Sequence, residues 1–236
     1  MTGWSAAGEA DVKPQTVGGC VYQVGGPRIT EPRDCCVYLI DGEEGLCLID
    51  TGFGPSFNRV CFNIITLGFE PERIKTIVLT HRHINHVGAA AAFKKRFGSR
   101  LVAHAEDCGA LEAGDLIQTL AFLYGKGFQP LSIDRVVRGD GERIAVGNLE
   151  LYLLSTPCHT PGTISAVLES EGKRIIFGHL HGPFHPHLGG DRRLMHTSAT
   201  RLQGFKADIL CEGRYGVYQP ACAVEWYIGG RTKRFE

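Results

Sequence analysis

The sequence predicts an α/β (α+β) fold in which two β-sheets pack face to face with helices on their outer surfaces. Three observations support this prediction: a hairpin pattern at 35–50, a strand–loop–helix–strand pattern at 74–105, and a series of short strands separated by turn residues in the second half. Hydrophobic residues make up 43% of the 236 residues, enough to bury a substantial core. A single domain spanning residues 1–236 is therefore expected.

The first half of the chain alternates between apolar strands and one helix. The segments CCVYLI and GLCLID flank the turn DGEE, as expected of a hairpin, and the second strand leads into Asp50-Thr51-Gly52. A β-branched run at 74–80 predicts another strand. The alanine- and lysine-rich stretch after Asn85 predicts a helix that Gly98 ends, and LVAHA at 101–105 predicts the next strand.

The second half is richer in strands. The segments RVV, RIAV, LELYLLSTP, ISAVLES and RIIFG are separated by turn signals and predict successive antiparallel pairs. A helix is expected from about residue 191 to residue 202, followed by the strand ADILCEG and a short terminal segment. No repeat or linker-like composition marks a second domain.

Composition excludes several classes of partner. Lysine plus arginine and aspartate plus glutamate each number 25, so the chain offers no overall basic charge for a nucleic acid or an anionic membrane.

No apolar run approaches the roughly 20 residues of a spanning helix, and the N-terminus lacks a signal pattern, so a cytoplasmic location is expected. The nine cysteines include no C-x-x-C pair and are interpreted as reduced thiols. The sequence leaves the oligomeric state open.

Three histidines lie within six residues in THRHINHVG at 80–88. His81 and His83 are two positions apart at the end of a predicted strand, so extended backbone can direct both imidazoles to one point. His86 begins the following helix. A further histidine, His159, lies in STPCHTPG at 155–162, where flanking prolines stiffen a loop that follows the strand LELYLL. This pattern indicates a metal site.

Taken in order, LIDTG, THRHINHVG and TPCHTPG resemble the motifs of the metallo-β-lactamase-fold hydrolase superfamily over roughly residues 18–220. The resemblance implies a four-layer αββα sandwich with metal at one edge of the two sheets. It also implies that one metal is held by His81, His83 and His159, all of which are present.

The residues of the family's second metal site are altered at three positions. Asn85 replaces the motif aspartate, His179 stands where the family places a bridging aspartate, and Arg214 stands where a histidine is common. Two divalent ions about 4 Å apart repel by about 16 kcal/mol at an effective dielectric constant near 20, and a guanidinium would add about 8 kcal/mol by the same estimate. We therefore expect one metal ion, zinc in preference to iron.

The fourth position around that metal is left open by the sequence. It could hold a water molecule, whose pKa zinc lowers to about 7, or it could be filled by His179 or by the neighbouring thiol of Cys158. Of the other histidines in GHLHGPFHPH, His181 could contact metal or substrate, whereas His185 and His187 are expected in an exposed loop.

The residues expected to serve catalysis are Asp50, His86, Arg214 and Glu212. Asp50 could orient a ligand imidazole, although a role in capping the turn at Thr51-Gly52 is nearly as well supported. Arg214 could anchor a carboxylate, a phosphate or a developing oxyanion. Glu212, His86 and His179 are the alternatives for a general base.

The resemblance implies a metal-dependent hydrolase acting on an ester, lactone, thioester or phosphoester of a small molecule that could be anionic. Two alternatives remain at this point. A mononuclear iron oxygenase would require a carboxylate ligand, which the replacement at position 179 removes. A remodelled member could retain the fold and one metal while its activity is lost or exchanged.

Overall fold

The computed structural model describes residues 12–232. Residues 1–11 and 233–236 lie outside this range. The prediction that the N-terminus lacks a signal pattern falls mostly on residues 1–11. The expected domain of residues 1–236 extends beyond the described residues at both ends. None of the helices within 12–232 is both long and apolar enough to cross a membrane.

Two mixed β-sheets form the centre of the protein. The first sheet has its seven strands in sequence order, namely Gln15–Gly18 (β1), Val21–Gly25 (β2), Val37–Asp41 (β3), Leu46–Ile49 (β4), Ile74–Val78 (β5), Arg100–His104 (β6) and Arg135–Val137 (β7). Strands β4 to β7 run parallel to one another, whereas β1 to β4 are antiparallel neighbours.

The second sheet has the strand order β13-β12-β11-β10-β9-β8. Its strands are Glu142–Val146 (β8), Leu149–Ser155 (β9), Ile164–Ser170 (β10), Lys173–Gly178 (β11), Ile209–Glu212 (β12) and Gly216–Tyr218 (β13). Only β11 and β12 pair in parallel. Because β10 is antiparallel to both β9 and β11, the strands β9, β11 and β12 all end at the same edge.

Six α-helices lie in the described part of the chain. They are Phe57–Thr66 (α1), Ile84–Val87 (α2), Ala90–Phe97 (α3), Ala105–Ala113 (α4), Arg192–Gln203 (α5) and Ala221–Thr232 (α6). The left-handed Gly98 (φ 69°) ends α3, as the sequence predicts. Asp191 caps α5 by accepting a hydrogen bond from the backbone N–H of Arg193.

Three apolar layers explain the sandwich. Alternate side chains of both sheets, such as Tyr38, Leu153 and Phe177, interdigitate in a core between the sheets. On its other face the first sheet packs against α1, α3 and α4, and the second sheet packs against α5 and α6. The two mixed sheets flanked by helices confirm the expected α/β (α+β) αββα architecture.

Several elements differ from the sequence prediction. The helix after Asn85 is divided into α2 and α3 because the chain turns at Gly88, where a Cβ would come within 2.6 Å of the Gly54 backbone nitrogen. The short terminal segment is in fact a strand and the twelve-residue helix α6. The sequence pattern also missed β1, β2, α1 and α4.

Candidate metal centre

The candidate site lies at the edge of the sandwich where strands of both sheets end together. In the first sheet β4 is followed by Asp50, and β5 is followed by Thr80, His81 and His83. In the second sheet the chain continues from β9 to His159, from β11 to His179, and from the end of β12 to Gly213. These loops converge because the strands run in the same direction within each sheet.

The three histidines expected to hold metal are brought together. The ring centroid of His81 lies 4.8 Å from that of His83 and 4.9 Å from that of His159, and the His83 and His159 centroids are 4.5 Å apart. All three side chains are buried, and one nitrogen of each lies within 4.8 Å of the others.

The spacing of the nitrogen atoms supports metal binding by this triad. The Nε2 atom of His81 is buried without a hydrogen-bond partner, whereas in His83 and His159 the unpartnered nitrogens are Nε2 and Nδ1, not the two that face each other. The Nδ1 atom of His83 lies 2.9 Å from the Nε2 atom of His159. Nitrogen ligands around a tetrahedral zinc are about 3.3 Å apart, as follows from zinc–nitrogen bonds near 2.0–2.1 Å. The donor set therefore fits one such ion.

Burial keeps these imidazoles neutral, as metal ligation requires. Desolvation, reinforced by the neighbouring histidines, lowers the pKa of His81 and His83 well below the ordinary value, and burial lowers the pKa of His159 to about 3. A neutral imidazole retains a lone pair that can bind a cation.

His86 and His179 extend the cluster. The ring of His86 is 4.0 Å from that of His81, and the ring of His179 is 4.6 Å from His81 and 4.5 Å from His159. Both nitrogens of His179 are buried and unpartnered, and desolvation lowers its pKa well below the ordinary value. His81, His86 and His179 form a second group with ligand atoms close enough to share an ion.

Asp50 organises one side of the cluster. Its carboxylate accepts hydrogen bonds from the Thr80 backbone N–H (2.8 Å) and hydroxyl (2.7 Å), and it lies 2.7 Å from Nδ1 of His86. The Thr80 hydroxyl is also 3.2 Å from Nδ1 of His81. An ionised Asp50 thus favours a proton on Nδ1 of both imidazoles and leaves their Nε2 lone pairs facing the cluster. Sequence reasoning did not single out Thr80, although it lies in the histidine motif.

Glu212 is buried with its carboxylate fully engaged. One oxygen accepts hydrogen bonds from the backbone N–H groups of Arg214 and Tyr215, both at 2.7 Å, and the other lies 2.8 Å from Nδ1 of His181. Burial opposes ionisation, but these hydrogen bonds outweigh it and lower the pKa of Glu212. The contact with His181 links the end of β12 to the loop after β11.

Arg214 follows Gly213, which borders the histidine cluster. The adjacent Gly213 packs so closely that a Cβ there would lie 3.0 Å from Nδ1 of His179. The guanidinium donates one hydrogen bond, of 3.2 Å, to the backbone oxygen of Asp34, and it forms no ion pair with any residue in the range 12–232. It lines a cavity of about 240 Å³ together with Arg28 and Tyr215.

The remaining residues singled out from sequence lie around this centre. Asn85 is half-buried, and its backbone oxygen accepts a hydrogen bond from Cys35. Cys158 directs its thiol to the backbone oxygen of His179 at 3.4 Å, and burial raises its pKa to about 12. It belongs to none of the potential metal-binding groups among the described residues. His185 is half-buried and His187 is exposed.

Comparisons with known proteins identify the family. Residues 30–211 match the model of the metallo-β-lactamase superfamily. The chain belongs to this superfamily. Its members include metal-dependent hydrolases, and the match, together with the converging histidines, confirms the resemblance seen in the sequence motifs.

Individual relatives are distant. Hydroxyacylglutathione hydrolase GloC of Haemophilus influenzae is 27% identical over 199 residues, which are 80% of this chain and 89% of that protein. An N-acyl homoserine lactonase of a Bacillus species is 27% identical over 57% of this chain, and the match spans only 58% of the lactonase.

Among solved structures, the chain is similar to B3 metallo-β-lactamases. One, described as having an active-site glutamic acid, gives a TM-score of 0.77 at 27% identity, covering 94% of this chain and 88% of the other. The B3 enzyme BJP-1 of Bradyrhizobium japonicum gives 0.71 at 27% identity, covering 86% of this chain and 77% of the other.

Proposed function

We propose that this superfamily member is a hydrolase with a mononuclear zinc site at His81, His83 and His159, acting on an ester, lactone, thioester or phosphoester of a small molecule. The observation that carries the proposal is the convergence of three buried, neutral imidazoles, one nitrogen of each lying within 4.8 Å of the others. Zinc in such a site supplies a nucleophilic water at neutral pH and polarises the bond to be cleaved.

The names of the relatives favour acyl substrates. Those proteins are named for hydrolysis of an acylated glutathione and of an acylated homoserine lactone. Hydrolysis of an acyl group or of a lactone requires attack at a carbonyl carbon, so esters, thioesters and lactones precede phosphoesters in our proposal. The equal numbers of acidic and basic residues are consistent with a small-molecule substrate rather than a nucleic acid.

The surrounding residues have separate roles in this proposal. Asp50 fixes the proton on His86 and, through Thr80, on His81. Glu212 holds His181 and the backbone at Arg214, and its engaged oxygens make it a positioning residue rather than the general base. Arg214, which lacks an anionic partner within 12–232, is proposed to receive the negatively charged part of the substrate or of the transition state.

The test combines metal analysis with a substrate panel. Protein purified without added metal is expected to contain one zinc per chain, and His83→Ala should lose the zinc and at least 100-fold in hydrolysis rate. His187→Ala, which changes an exposed histidine outside the cluster, is the matched control.

Two results would refute the proposal. Iron content accompanied by oxygen consumption would indicate the oxygenase alternative. If esters, lactones, thioesters and phosphodiesters all react no faster with the wild-type protein than with His83→Ala, the protein is a remodelled member without this activity.

A further inference from the structure

Arg82 and Asp107 form an ion pair that is almost completely removed from solvent. The Nη1 atom of Arg82 lies 2.6 Å from Oδ1 of Asp107, and their side chains are 5% and 1% exposed. Arg82 lies between His81 and His83 in the sequence, whereas Asp107 belongs to α4. Loss of one partner from such a pair leaves a buried charge without compensation.

Asp107 connects the two loops that carry the histidine triad. One carboxylate oxygen accepts hydrogen bonds from the Arg82 guanidinium and from the backbone N–H of Gly162 (3.2 Å). The other accepts from the backbone N–H of Arg82 (2.9 Å) and the hydroxyl of Thr160 (2.8 Å). Four donors therefore hold one carboxylate, two from the His81–His83 loop and two from the loop that follows His159.

The side chain of Asp107 is tightly packed. A Cβ on Gly162 would come within 2.5 Å of the Asp107 carboxyl carbon. Arg82 also donates to the backbone oxygens of Gln118 (3.1 Å) and Leu188 (2.6 Å). The pair thus joins the two histidine loops to the segments that flank them.

We propose that Asp107, together with Arg82, is a positioning pair that sets the separation between the His81–His83 loop and His159, and thereby the affinity for metal. The inference rests on the proposed function only in taking these histidines as the metal site. Neither residue was singled out from sequence, because their contact spans 25 positions and follows from the tertiary fold.

The test measures zinc affinity of the metal-free protein by competition with a chelator. Asp107→Asn keeps the shape of the side chain but offers only one acceptor oxygen to the four donors. The substitution should therefore weaken zinc binding about 10- to 100-fold. Asp208→Asn is the control, because this carboxylate accepts a hydrogen bond from the Arg174 backbone at the opposite edge of the second sheet. It should stay within twofold of wild type.

A purely structural role predicts a different result. In the cobalt-substituted protein, Asp107→Asn should shift the visible absorption bands because the ligand geometry changes, whereas a loss of stability alone would leave the bands in place. An affinity within twofold of wild type, or an equal loss in Asp208→Asn, would overturn the positioning role while leaving the metal site intact. A wild-type protein that binds no zinc would overturn the proposed function as well.

Two further variants separate geometry from charge and guard against misfolding. The neutral double variant Arg82→Gln/Asp107→Asn should still bind zinc at least tenfold more weakly than wild type. Recovery to within twofold would identify unbalanced charge as the cause and overturn the proposal.

If Asp107→Asn does not fold, Thr160→Val removes a single donor. It should weaken zinc binding a few-fold, and an unchanged affinity would again overturn the proposal.

Discussion

The Nδ1 atom of His86 lies 2.7 Å from a carboxylate oxygen of Asp50, and both side chains are 1% exposed. The same oxygen accepts the hydroxyl hydrogen bond of Thr80, which in turn contacts His81. One buried carboxylate therefore determines how two imidazoles face the cluster, and its removal is expected to weaken metal binding.

Asp50→Asn should lower zinc affinity and hydrolytic activity together by about 10- to 100-fold, the range typical of changes to the groups that orient a ligand histidine, because Asp50 orients His81 through Thr80. The amide cannot act as an anionic acceptor for Nδ1–H. Zinc titration and steady-state rates measure the effect. Asp41→Asn is the control and should resemble wild type, because this carboxylate lies at the end of β3 and accepts a hydrogen bond from the Glu43 backbone N–H. Equal behaviour of the two variants would contradict the assigned role.

Asn85→Asp should raise the zinc content at saturation from one to two ions per chain. The substitution restores a carboxylate beside His86, where His179 already offers two unpartnered nitrogens, and it offsets part of the repulsion between two dications. Metal content after dialysis against zinc gives the count. Asn148→Asp, in the turn between β8 and β9, is the control. A count that remains at one would show that charge at position 85 does not limit the second site.

Asp34 provides a pH-dependent prediction. Burial raises the pKa of its carboxyl to about 6, although Thr30, Ser56 and the backbone N–H of Phe53 donate hydrogen bonds to it. The native state therefore holds this proton more tightly than the unfolded chain, and stability falls as pH rises from about 4 to 6. The loss approaches about 3 kcal/mol above pH 6, from two pKa units at about 1.4 kcal/mol each.

Urea unfolding of metal-free wild type and Asp34→Asn at several pH values isolates this contribution, because other titrating groups are shared. The stability of wild type relative to Asp34→Asn should decrease between pH 4 and pH 7. A difference that is constant, or that rises with pH, would contradict the raised pKa.

Phe177→Ala should destabilise the metal-free protein by about 3–5 kcal/mol, because it leaves a cavity in the core between the sheets. The ring of Phe177 is fully buried and packs edge-on against Tyr38, with centroids 5.8 Å apart. Phe62→Ala is the control, since that ring is 59% exposed, and its effect should be within about 0.5 kcal/mol. Chemical denaturation curves compare the two.

The convergence of His81, His83 and His159 and the type of fold could be predicted from the sequence because their signals are local. His81 and His83 share one strand end, His159 lies in a loop bounded by prolines, and alternation of apolar residues predicts many of the strands. The order and spacing of these motifs also indicated the family. The helix α6 could not be predicted in this way, because Gly229 and Gly230 lower its helical propensity and its formation depends on packing against α5.

The amino-acid sequence by itself determined which side chains offer imidazole nitrogens and at which positions the chain departs from the family's motifs, because these are properties of residue identity and spacing. Only the tertiary structure decided the partners of those side chains: Asp50 with His86, Glu212 with His181, and Asp107 with Arg82. These pairs join strands and loops distant in sequence. Their energies arise from burial and hydrogen bonding at the edge where the two sheets meet, which no local pattern encodes.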